Sequence, residues 1–76
     1  MSRLTLTVWH YRAPGHQNIV ATRSKAEGAR LLNISVREFN RHATETGNDH
    51  ALATALGSPG TVFEREDYLD SWKAVW

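Results

Sequence analysis

The sequence predicts an α+β fold: an N-terminal β-hairpin plus a third short strand, packed on three short helices, in a single small domain over residues 1–76. Three observations carry this. A strictly alternating segment runs into a Pro-Gly turn. Two Ser-x-x-Glu helix starts then follow in succession. An Asn-led stripe of Ala and Leu ends in Gly-Ser-Pro-Gly.

The elements divide into a hairpin (1–22), a helical segment (24–56) and a strand with a C-terminal tail (61–76). In the hairpin, Leu4, Leu6, Val8 and His10 alternate with Thr5, Thr7, Trp9 and Tyr11, a period of two that puts each set on its own face of a strand. Pro14 fixes φ and Gly15 supplies φ > 0, as a type II turn requires. Asn18–Thr22 is the returning strand.

Ser24-Lys25-Ala26-Glu27 forms a capping box: the Ser hydroxyl accepts from the Glu27 N–H while the Glu carboxylate reaches back. A helix follows from Lys25 to Leu32, with Ala26, Ala29, Leu31 and Leu32 as its packing face and Gly28 permitting close approach. Asn33 suits a left-handed stop. Ser35-Val36-Arg37-Glu38 repeats the box and opens a second helix to Ala43, with Val36 and Phe39 expected inward. Glu45–Asn48 breaks the chain. Asn48 caps a third helix, Asp49–Leu56, whose Ala51, Leu52, Ala55 and Leu56 recur at helical spacing. Gly57-Ser58-Pro59-Gly60 ends it. Thr61–Arg65 reads as a strand joining the hairpin. In the tail, Tyr68, Leu69, Trp72 and Val75/Trp76 fit helical spacing behind Asp67, or equally an extended arm.

Size and composition narrow the function. At roughly 0.05–0.15 kcal/mol per residue, a chain this short has about 4–11 kcal/mol of stability, little room for a desolvated catalytic cleft. There is no cysteine, so disulfides, thiolate metal sites and cysteine nucleophiles are excluded. The four histidines, His10, His16, His42 and His50, lack the spacing of a zinc site. Ser24 and Ser35 are accounted for as caps, and Ser58 lies in no nucleophile elbow. The expectation is a binding protein and not an enzyme, with no cofactor, metal or small-molecule substrate. The N-terminus lacks a signal-peptide pattern and no apolar run reaches membrane-spanning length, so a cytoplasmic setting is expected, with no membrane partner.

Charge is segregated. Residues 1–44 carry Arg3, Arg12, Arg23, Lys25, Arg30, Arg37 and Arg41 against Glu27 and Glu38. Residues 45–76 carry Arg65 and Lys73 against Glu45, Asp49, Glu64, Glu66, Asp67 and Asp70. The basic part suits nucleic acid and the acidic part a basic protein surface; alternatively, the two attract each other within the fold. Three tryptophans are many for this length. Trp9 is expected to support the sheet, or with Tyr11 to stack on single-stranded bases from an uncovered sheet face. Trp72 and Trp76, among Glu66, Asp67 and Asp70, either clamp the tail or dock on a partner.

The segment SKAEGARLLNISVREFNRHA (24–43) resembles the helix-turn-helix of excisionase-like and MerR-like DNA-binding domains, with Ala29 at the helix contact and Ile34 and Phe39 as core anchors. The resemblance implies a second helix that presents Ser35, Arg37, Asn40 and Arg41 to a major groove, with Arg23, Lys25 and Arg30 on phosphates. It departs from that pattern at Gly28, Asn33 and His42, and a β-hairpin precedes it where a helix is common. A purely structural helical hairpin is the alternative.

Over residues 18–66 the runs SKAEGARLL, REFNRHATETGN and ALATALGSPGTVF resemble small proteins of bacteriophages and mobile elements. That implies a non-enzymatic protein, monomer or homodimer, that docks on a host protein complex of the RNA polymerase, nuclease or CRISPR-effector class and inhibits or redirects it. A helix-turn-helix DNA-binding transcriptional regulator is the alternative, and a toxin–antitoxin or structural accessory protein is a third class.

Overall fold

The computed structural model describes residues 6–66 and 71–75. Strands β1 (Thr7–Ala13), β2 (His16–Thr22), β3 (Ala43–Glu45), β4 (Phe63–Glu66) and β5 (Lys73–Ala74) form one antiparallel sheet in the order β3-β1-β2-β4-β5. Helices α1 (Lys25–Leu31), α2 (Val36–His42) and α3 (Asp49–Leu56) complete the α+β fold.

The hairpin is built as its sequence requires. Ala13 pairs with His16 across Pro14 and Gly15, and Gly15 has φ +83°. The register then pairs Val8 with Ala21 and Trp9 with Val20, so strand alternation sends Val8, Ile19, Ala21 and Phe63 to one face and Trp9, Val20 and Thr22 to the other. On the first face α3 lays Ala51 and Ala55 on Val8, Ile19 and Ala21, with Leu52, Phe63 and Trp72 around them. On the second, Phe39 of α2 meets the Trp9 ring edge-on, centroids 5.4 Å apart at 72°. The helices therefore lie on both faces of the sheet. Trp9 donates from its indole nitrogen to Thr22 Oγ1 at 3.1 Å, which confirms its supporting role. The sheet face it occupies is covered by α2, contrary to the expectation of an uncovered face for base stacking.

Local capping sets the helix boundaries. Ser24 and Ser35 accept from the Glu27 and Glu38 amides at 3.2 and 3.0 Å. Glu27 reaches back as expected, accepting from the Arg23 N–H at 3.1 Å, whereas Glu38 turns away to Tyr11 and His42. Asn33 is left-handed, with φ 62°. It makes a full Schellman stop, because its amide donates to Arg30 O at 3.1 Å and that of Ile34 to Ala29 O at 3.0 Å. At Gly28 a Cβ would stand 2.8 Å from the Phe39 ring, so α1 and α2 meet through a position with no side chain. Asn48 accepts from the Ala51 amide at 2.9 Å and starts α3.

Several boundaries differ. The second strand begins at His16, Glu45 closes β3 where a loop was expected, and the fourth strand starts at Phe63. Val36, expected inward, is 46% exposed, and Ala26 is exposed as well. The described part of the tail is extended: Glu64 pairs with Lys73, and the Val75 amide donates to Val62 O at 2.8 Å. Sheet pairing at this edge overrides the helical spacing. The expectations for Leu4, Thr5, Asp67, Tyr68, Leu69, Asp70 and Trp76 fall outside the described residues.

Candidate functional site

Two places on the molecule gather chemistry, one on each side of the sheet. The first is the outer surface of the α1–α2 hairpin. Helix α2 is fastened from within by Phe39, which is 1% exposed, and at its flank Tyr11 donates to Glu38 Oε2 at 3.4 Å. Burial, then the charge and hydrogen bond of Glu38, raise the Tyr11 pKa above the phenol range and hold it protonated. His42 Nε2 lies 3.4 Å from the same carboxylate oxygen, one helical turn on.

With that side held, Val36, Arg37, Asn40 and Arg41 face outward, all exposed. At 3.6 residues per turn they span an arc of about 140°. Neither arginine forms an ion pair among the described residues. Arg23, just ahead of α1, and Lys25 and Arg30 on α1 are exposed too, and Lys25 holds its ammonium 5.8 Å from the Trp9 ring centroid. Ser35 spends its oxygen on the cap. The sequence-selected residues of the helical segment are thus brought onto one hairpin. Arg12, Arg23, Lys25, Arg30, Arg37 and Arg41 make no ion pair with the acidic part of the chain among the described residues, so these charges do not stitch the two parts together.

The residues expected to dock a partner through the tail are arranged differently. Glu66 ends β4, its Cα paired with His16. Trp72 packs against the α3-side core, with the Arg65 guanidinium 5.1 Å from its ring centroid and His10 edge-on at 6.4 Å. Of the two roles expected for it, the described contacts are those of a clamp.

The second place is a half-open cleft of about 410 Å³ on the α3 side, lined by His10, Gln17, Thr46, Asn48, His50, Ala51, Arg65 and Trp72. Gln17 and Arg65 are register partners on β2 and β4, and Arg65 Nη2 donates to Gln17 Oε1 at 3.1 Å. His10 Nε2 meets the same oxygen at 2.6 Å. Sequence reading did not find this cleft, since its residues come from separated elements. The one signal is His10, a polar residue in the apolar register of β1. Among the described residues no cluster of three or more His, Asp or Glu could hold a metal, and no helix is long and apolar enough to cross a membrane.

Comparison with known proteins finds no matching family model, no matching curated protein and no matching solved structure.

Proposed function

We propose that this protein is a nucleic-acid-binding module that reads duplex DNA with the outward face of α2. The observation that carries the reading is the makeup of that face. Val36, Arg37, Asn40 and Arg41 stand exposed on a helix anchored from behind by Phe39. Arg forks match guanine, the Asn amide matches adenine, and an exposed Val matches the thymine methyl group. An outward Val costs apolar exposure in a free protein and gains contact in a groove. Arg23, Lys25 and Arg30 supply the phosphate contacts that set register on the duplex.

Selection of bound duplexes from a random pool tests this. A recovered consensus that relaxes at one position in Arg37→Ala or Asn40→Ala supports base readout. Recovery of no consensus, with binding unaffected by either change, refutes it.

The docking role on a host protein complex is the second reading, favoured by one observation. Glu64 and Glu66 lie on the same face of β4, at the sheet end away from the β3–β1 pair that α2 packs beside. These two carboxylates, inboard of the β5 edge that sets Lys73 opposite Glu64, suit a basic protein surface. A protein captured from host lysate, retained after nuclease treatment and lost with Glu64→Lys and Glu66→Lys, supports it. Capture abolished by nuclease goes against it.

A further inference from the structure

Val36 is the odd member of the α2 face. Among the described residues it and Leu56 are the large hydrophobics left exposed, and Val36 is the more open of the two. Its neighbour on the helix surface is Asn40, one turn on, and Arg37 follows it in the chain; both are exposed. On α2 it is therefore a single apolar spot among polar and cationic groups, too small to dock a protein by itself. A spot of that size suits one methyl group. The major groove offers one, at C5 of thymine.

The rest of the face decides how that pyrimidine is told apart. Cytosine is otherwise read through its C4 amino group, which asks for a carboxylate acceptor. The one carboxylate of α2 is Glu38, and it is turned to the flank. Tyr11 donates to its Oε2 at 3.4 Å, and His42 Nε2 lies 3.4 Å from the same oxygen. Arg37 and Arg41 only donate, and Asn40 uses both ends of its amide on adenine. Val36 is left to read its base at C5 and not at C4. The methyl group of 5-methylcytosine stands at the same place in the groove as that of thymine, so it meets Val36 equally well. Val36 and Asn40 are about 6 Å apart along the helix, under two base steps of about 3.4 Å, so the methylated base lies within two base pairs of the one that Asn40 reads.

We propose that α2 selects the C5-methyl group of a pyrimidine through Val36, whether thymine or 5-methylcytosine supplies it, which makes binding sensitive to cytosine methylation. The inference rests on the DNA reading of the same helix and adds what its apolar residue recognises.

Selection from three random duplex pools tests it: one ordinary, one with uracil in place of thymine, one with 5-methylcytosine in place of cytosine. The ordinary pool should return a thymine in the consensus, and the uracil pool should lose the preference at that position. The third pool should return thymine and 5-methylcytosine alike there. Anisotropy on duplexes built from the ordinary consensus then measures the effect. Thymine to uracil should weaken binding about fourfold, and cytosine to 5-methylcytosine at that position should strengthen it about as much, as one buried methyl group implies. Val36→Ala should shrink both differences below about twofold while the melting curve stays unchanged, since the side chain is exposed. A methyl effect in one pair alone supports the proposal and names the base. Binding that Arg37→Ala weakens but neither methyl group alters, or a methyl effect that Val36→Ala leaves whole, overturns the proposal and spares the DNA reading. No duplex recovered from any pool overturns both.

Discussion

On the α2 side the sheet meets an aromatic ring; on the α3 side it meets methyl groups. Phe39 fills the space between Trp9 and the side-chain-free patch at Gly28, and nothing wider than a hydrogen fits there. Ala51 and Ala55 instead let α3 sit close over Val8, Ile19 and Ala21, and at its first turn the layer opens into a polar cleft. The comparison teaches how a small chain divides its labour. One face spends its large side chain on holding a helix still, so that the helix can display exposed side chains. The other closes with small residues and leaves a concave space at its rim.

The largest expected effect breaks the aromatic side. Phe39→Ala should cost about 3–5 kcal/mol in urea unfolding, because it removes a fully buried ring and leaves a cavity. A loss below about 1 kcal/mol would show that α2 is held by something else. Gly28→Ala approaches the same contact from the opposite direction. Its methyl group would stand 2.8 Å from the ring, and displacing a ring wedged against Trp9 should cost about 1–3 kcal/mol. On the α3 side the sharpest handle is the cap. Asn48→Ala should cost about 1 kcal/mol, and Asn48→Asp close to nothing.

These positions also mark what was legible in the sequence. Asn33, the two Ser caps and Asn48 were readable because each acts locally, through a backbone angle or a hydrogen bond within four residues. Val36 was misplaced, because a capping box fixes where a helix starts but not which side it buries; Phe39, one turn on, decided that by filling the space against Trp9. Strands β3 and β5 carry too few residues to show a period and exist through pairing with β1 and β4. The cleft was invisible for a related reason. Gln17 and Arg65 become neighbours only through the β2–β4 register. The cationic residues of the hairpin were found, since charge and helical spacing are both written in the chain.

The smallest effect is on pH dependence. Tyr11 has a raised pKa when folded, so the unfolded chain ionises first as pH rises. Its contribution is therefore complete below about pH 10, the usual phenol value, and is lost as pH climbs through the folded value. Ultraviolet titration should find one tyrosine ionising late, and Tyr11→Phe should remove that step. Titration of all tyrosine at the ordinary value would separate Tyr11 from Glu38.

The central claim is that the exposed face of α2, and not the tail, is where this protein meets its target. Fluorescence anisotropy with labelled duplex DNA across a salt series tests it most directly. The account predicts affinity that falls steeply with salt, a slope reduced by about 1 in Arg30→Ala, and binding weakened by about 1–3 kcal/mol in Arg37→Ala with the fold unchanged. No binding at low salt, or binding indifferent to both substitutions, would contradict it.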